Sequence, residues 1–145
     1  MRKFEPVVGK EEFFTKPKRA TSKSAGYDIV SPETYHIEPR AIVKIPTGIK
    51  ACMEDDEYLD INIRSGLATK HGLGLVNSVG IIDADYYNNP DNDGEIIIGI
   101  INNGFKVATI KAGDRIAQGI FKKYLITDDD DAVGERKGGL GSTGK

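Results

Sequence analysis

Apolar and polar residues alternate with period two along most of the chain. In YLDINIRS, Leu59, Ile61 and Ile63 fall on one side of an extended segment and Asp60 and Asn62 on the other. That is the pattern of a half-buried strand. GIKACM sets Ile49, Ala51 and Met53 against Lys50 and Cys52 in the same way. AIVKIP, GEIIIGIIN, FKVATI and RIAQGIF are short and rich in β-branched residues. Gly, Pro and Asn interrupt these runs about every ten residues, the spacing of a sandwich or barrel. Long helical periodicity is absent. SGLATKHG is the best short helix, with Ser65 as its N-cap and Gly72 as its terminator. The pattern predicts an all-β fold with one short helix.

The chain has 145 residues, enough for one domain and one core. Its net charge of −2 gives no basic field for nucleic acid, so an anionic ligand must be met by local donors. Cys52 is the only cysteine, which rules out an intrachain disulfide and points to a reducing compartment. Its place among apolar neighbours suits a small buried hydrophobe better than a reactive thiol. No signal-peptide core and no membrane-length apolar run is visible. A cytoplasmic protein is expected.

Composition shifts after Ile126. Four consecutive aspartates follow, and then five glycines in the last twelve residues. Residues 127–145 therefore read as a flexible arm on a folded domain of residues 1–126. The segment GGLGSTG suits phosphate, because glycines let backbone N–H groups converge and hydroxyls add donors. Gly139–Lys145 also read G-x-x-x-x-G-K. With no Ser/Thr and no helix after the lysine, a Walker-type P-loop is not expected.

Several stretches carry candidate chemistry, and each has a plain reading beside the functional one. IRSGLATK is a strand entering a helix start, where Arg64, Ser65 and Gly66 could converge on an anion or simply cap the helix. In AGDRIAQ, Arg115 and Gln118 read as ordinary surface residues by themselves, as does Asp28 in SAGYDIVS. His36 and His71 lie far from any metal-ligand spacing. VGIIDADYYNN is the sharpest signal. Asp83 directly follows what reads as a buried strand and could deprotonate a water at a pocket rim. Tyr86 would share its face only if a turn intervenes, and DYYNNPDNDG is rich in turn residues. Two acids capping a hairpin are the plain alternative.

In order along the chain, SAGYDIVS, IRSGLATK, GLVNSVGIIDADY, AGDRIAQ and GGLGSTG resemble the five motifs of the trimeric deoxyuridine triphosphate nucleotidohydrolases, the dUTPases. The resemblance spans about residues 19–144. It implies a β jelly-roll subunit, a homotrimer with sites at subunit interfaces, and Mg²⁺-dependent hydrolysis of dUTP to dUMP and pyrophosphate. It implies no nucleic-acid or membrane partner and leaves a regulatory protein partner open.

The resemblance also implies roles. Asp83 would position and deprotonate the attacking water. Asn77 and the backbone of Gly80, Ile81 and Ile82 would read the uracil edge, and Tyr86 would exclude a ribose 2′-OH. Arg64, Ser65 and Gly66 of a neighbouring subunit, with Gln118, would hold phosphates. Asp28 would contact a metal-bound water. On the arm, Gly141, Ser142, Thr143 and nearby N–H groups would clasp the β- and γ-phosphates, with Arg136 adding charge.

Two departures from the family pattern stand out. Leu140 replaces the aromatic that covers uracil, with Tyr87 and Phe105 as substitute candidates. The usual arginine position is Glu135, and Arg136 is displaced by one. Rival readings are dCTP deamination on the same fold and a non-enzymatic trimeric β-sandwich. The first is disfavoured by Gly66 and LATK, which lack the deaminase serine and arginine.

Overall fold

Leu59 and Ile61 point inward from the middle of the molecule and are fully buried, as their alternation requires. The computed structural model describes residues 1–141. In chain order the strands are β1 (Lys3–Pro6), β2 (Tyr27–Val30), β3 (Tyr35–Ile37), β4 (Ile42–Pro46), β5 (Ile49–Cys52) and β6 (Glu57–Ile63). After helix α1 (Ser65–His71) come β7 (Leu73–Leu75), β8 (Gly80–Asp83), β9 (Ile97–Asn102), β10 (Ala108–Ile110) and β11 (Arg115–Lys123). The all-β architecture with one short helix is thus as expected. Among the described residues, no helix is long and apolar enough to cross a membrane.

The pairings are antiparallel and mostly non-sequential. One sheet runs β2-β11-β6-β8 and another β4-β9-β7, with β1-β5 and β10-β3 as two-stranded additions. Such crossovers bury two sheet faces against each other, as in a jelly roll. Ile29, Ile45, Ile49, Ile96, Ile100, Ile110 and Ile116 fill the space between. Phe4, Tyr27 and Phe121 close one end, with ring centroids 5.4–6.2 Å apart.

Four local expectations are corrected. Ser65 is the first helical residue, and Arg64 is the flanking cap with extended dihedrals. The Arg64 N–H still bonds to the Ile116 carbonyl at 3.1 Å, which holds the strand one residue longer. Gly72 does end the helix, in the left-handed conformation. Lys50 alternates away from the core as predicted, yet it is buried, because the loop after Tyr87 covers it. Its Nζ donates to Asn88 Oδ1 at 2.6 Å and Asp93 Oδ2 at 2.9 Å and sits 5.1 Å from the Tyr87 ring centroid. Cys52 is half-buried rather than buried. Finally, β8 is an edge strand and not a buried one, and Ile81 on it is 62% exposed.

Candidate active site

β8 pairs with β6 on one side only. Its other edge therefore carries backbone N–H and C=O groups with no ladder partner among the described strands, a ready template for hydrogen bonding. A cavity of about 250 Å³ opens there. Gly80, Ile81 and Ile82 of β8 line it, together with Asn77, Ile97, Gly99 and Leu140. Asn77 is exposed at its edge. Asn77, Gly80, Ile81 and Ile82, which the resemblance implies would read uracil, thus line one cavity.

The chain turns sharply where β8 ends. Ala84–Tyr86 form one 3₁₀ turn directly after Asp83, and this is the turn that brings Tyr86 round to Asp83. Asp83 is half-exposed at the rim, 56% by side chain. Tyr86 is buried, and its hydroxyl donates to the Glu95 carbonyl at 2.7 Å while accepting from Asn92 Nδ2 at 2.8 Å. Burial pushes the phenol pKa up, and the two hydrogen bonds fix the hydroxyl in place. A second recess of about 150 Å³ is shared by Asp83, Tyr86, Arg136, Gly139, Leu140 and Gly141.

The arm reaches this place. Arg136 Nη2 donates to Asp83 Oδ2 at 2.7 Å, and Nε donates to Asp85 Oδ1 at 2.8 Å. The guanidinium carbon lies 5.5 Å from the Tyr86 ring centroid. Leu140 lines both recesses. Of the substitute candidates for covering the base, Phe105 lies in a separate recess with Lys70 and His71. Tyr87 turns away to donate its hydroxyl to Glu5 at 2.5 Å. Neither lines the β8 cavity of its own chain. Ser142 and Thr143 lie outside the described residues.

The remaining site candidates gather elsewhere on the same sheet. Gln118 of β11 faces Asp28 of β2 on one side and Asn62 of β6 on the other. Gly26 lies so close to Gln118 that a Cβ would stand 2.4 Å from Oε1, so the glycine is required for that side chain to sit there. Arg64 Nη1 donates to Asp28 Oδ1 at 2.5 Å, and Arg115 Nη1 stands 3.6 Å from Asp28 Oδ2. Ser65 and Gly66 are exposed beside them. Arg115 is therefore part of this cluster rather than an isolated surface cation, and Asp28 is held by two arginines.

Within one chain the two clusters do not meet. Asp83 is opposite Tyr58 on β6, while Gln118 is opposite Asn62, four residues further along. At the usual strand rise this is roughly 13 Å along the strands, and β8 and β11 lie two strand spacings apart across β6, roughly 10 Å, so the two residues are about 16 Å apart. The Arg64–Asp28 bond keeps the Arg64 head group in the far cluster. Asp85, Asp91 and Asn92 belong to the near cluster and were missed from sequence. Turn composition marks their loop but not which of its side chains point inward.

The chain matches the dUTPase family over residues 13–144. It is 48% identical over 130 residues to the deoxyuridine 5′-triphosphate nucleotidohydrolase of Lactococcus lactis subsp. lactis (strain IL1403), covering 88% of this chain and 87% of that protein. The corresponding protein of Desulfitobacterium hafniense (strain DSM 10664 / DCB-2) is 40% identical over 136 residues, with 88% and 86% covered. The crystal structure of dUTPase from Streptococcus mutans superposes with a TM-score of 0.80 at 41% identity, covering 87% of this chain and 98% of that one. A phage phi11 dUTPase mutant of Staphylococcus aureus, described with a structural Mg(II) ion, shares the fold at 23% identity and a TM-score of 0.76, covering 94% of this chain and 99% of that one. This chain belongs to the dUTPase family.

Proposed function

We propose that this protein hydrolyses dUTP to dUMP and pyrophosphate, with Asp83 as the general base. Asp83 takes a proton from a water, the water oxygen attacks the α-phosphorus in line, and the bond to the bridging oxygen of pyrophosphate breaks. A positioned base of this kind contributes about 10²–10⁴-fold. The observation that carries the reading is the placement of Asp83 at the end of β8, between the unpaired backbone edge and Tyr86. That edge offers main-chain donors and acceptors to a pyrimidine. Uracil and cytosine present opposite patterns at positions 3 and 4, so the wrong base leaves buried groups unpaired, a costly mismatch. The Tyr86 ring would lie against the deoxyribose and exclude a 2′-hydroxyl.

The roughly 16 Å between clusters supports a site shared between subunits of a homotrimer. Asp83 and Tyr86 of one copy would face Arg64, Ser65, Gly66 and Gln118 of another. Residues 1–126 would form the domain and residues 127–145 an arm that substrate orders over a site formed by other subunits, in a cytoplasmic enzyme. Gly141, Ser142 and Thr143 of the arm would hold the terminal phosphates. Among the described residues no three carboxylate, imidazole or thiol groups gather into a metal cage. That suits Mg²⁺, which keeps its waters and binds through phosphate oxygens. Asp28 would accept a hydrogen bond from a metal-bound water, and the ion would supply neutralisation of triphosphate charge.

The test is pyrophosphate release with Mg²⁺ from dUTP, dCTP, dTTP and UTP in parallel. Strong preference for dUTP is the expected result. Release of ammonia from dCTP, or no turnover of any nucleotide, would overturn the reading.

A further inference from the structure

Lys50 on β5 is 6% exposed and lies under the loop that joins Tyr87 to Gly94. A buried ammonium is costly unless it is paired and hydrogen-bonded. The loop supplies that pairing from both of its ends. Lys50 Nζ donates to Asn88 Oδ1 near the start and to Asp93 Oδ2 near the finish, with the Tyr87 ring beside it. The same Asp93 oxygen accepts the Val8 N–H at 3.0 Å. Glu5, opposite Lys50 on β1, accepts from the Tyr87 hydroxyl. Both ends of the loop are thus tied to the β1-β5 pair.

This closure reaches the main chain of Tyr86. The Asn88 N–H donates to the Asp93 carbonyl at 3.2 Å, and the Asp93 N–H donates to the Asn89 carbonyl at 3.0 Å. Asn89 is buried and donates twice to the Tyr86 carbonyl, from its N–H at 3.3 Å and from Nδ2 at 2.8 Å. Gly94 returns against that same carbonyl with a φ of +88°, and a Cβ on it would stand 2.8 Å from the Tyr86 oxygen. None of these contacts uses the Tyr86 hydroxyl, so the hold on the main chain survives its loss.

We propose that Lys50 is a positioning residue for sugar selection. It staples Asn88 to Asp93, and the closed loop fixes the main chain that carries the Tyr86 ring. The proposal rests on the reading of Tyr86 as the ring that excludes a 2′-hydroxyl, but the staple has a readout independent of activity. The base-reading edge lies on β8, which pairs with β6 and takes no part in the staple. Loss of the staple should therefore lower the kcat/KM ratio of dUTP over UTP and leave that of dUTP over dCTP in place. A merely structural role would reduce the amount of active protein and move neither ratio.

The experiment compares wild type with Lys50→Met, Asp93→Ala and Asp93→Asn, by amide hydrogen exchange and by kinetics on dUTP, UTP and dCTP. Lys50→Met keeps the aliphatic stem and removes the ammonium. Both Lys50→Met and Asp93→Ala should speed exchange in residues 87–95 by about tenfold, the scale of one charge-assisted hydrogen bond. Exchange in β6 and β11 should not change, and the dUTP over UTP ratio should fall by a similar factor. Asp93→Asn keeps the oxygen that serves both Lys50 and Val8 and should stay near wild type. If Lys50→Met does not fold, Asp93→Ala decides, because the Asp93 side chain lies in the loop and is 30% exposed. Unchanged exchange in residues 87–95 of the folded variants would overturn the staple. Faster exchange with an unchanged sugar ratio would overturn the role in selection. A wild type that does not prefer dUTP to UTP would instead sink the reading of Tyr86 and with it the role in selection, leaving exchange to judge the staple.

Discussion

Arg136 and Asp83 are joined by a 2.7 Å charge-assisted bond between the arm and the end of β8. Fifty-three residues of sequence separate them. The bond involves one oxygen of a carboxylate that remains 56% exposed, so a water can still approach Asp83 with the arm in place. The same guanidinium also holds Asp85. One arm cation thus gathers Asp83 and Asp85 beside Tyr86 and offsets the repulsion between two neighbouring negative charges.

Asp83→Asn is the direct test of the base. The amide is nearly isosteric and keeps an oxygen for the buried Arg136 head group, which also retains Asp85 as a partner, so the fold should be retained. Turnover of dUTP should drop by about 10²–10⁴-fold, the usual contribution of a positioned base. Binding of dUMP, measured by calorimetry, should change little. A folded Asp83→Asn protein with near-normal kcat would refute the role.

Tyr86 offers a separation of stability from specificity. Tyr86→Phe keeps the ring but strands Asn92 Nδ2 and the Glu95 carbonyl, both partners of the hydroxyl. It should cost ~1–3 kcal/mol of stability, read from denaturant unfolding, while leaving the kcat/KM ratio of dUTP over UTP intact. Tyr86→Leu removes the flat surface and should lower that ratio. An unchanged ratio in Tyr86→Leu would remove the tyrosine from sugar selection.

The alternation that put Leu59 and Ile61 in the core also put Asp83 at a strand end and made Tyr86 its neighbour once a turn was allowed. These are local facts, set by period and by turn residues, and they were legible. The burial of Lys50 was not, because a loop about forty residues later covers it and supplies Asn88 and Asp93. Similarly, the hold of Arg64 and Arg115 on Asp28 depends on β2 and β6 flanking β11. Strand order is non-local, and no periodicity encodes it. The arm is the extreme case: composition marked it as open chain, but the contact of Arg136 with Asp83 and Asp85 follows only from the folded chain.

The separation of the two clusters makes a prediction about subunits. Consider Asp83→Asn, which spoils the base, and Arg64→Gln, which weakens the phosphate cluster while keeping a donor for Asp28. Each variant alone should be slow. If both clusters served one site within a chain, every chain of a mixture would carry one lesion, and mixing would give only the average of the two parents. If a site joins the near cluster of one subunit to the far cluster of another, mixed trimers contain some junctions with neither lesion. Random assembly at equal amounts gives about a quarter of junctions of that kind, the product of two even chances in a closed ring. Co-refolding the two variants should therefore recover roughly a quarter of wild-type activity, measured as pyrophosphate release per subunit. Recovery must depend on assembly: mixing the preformed trimers without subunit exchange should recover nothing. Activity in the co-refolded sample no greater than the parental average would mean that one chain completes its own site, and the roughly 16 Å gap would then have to close by movement within the subunit.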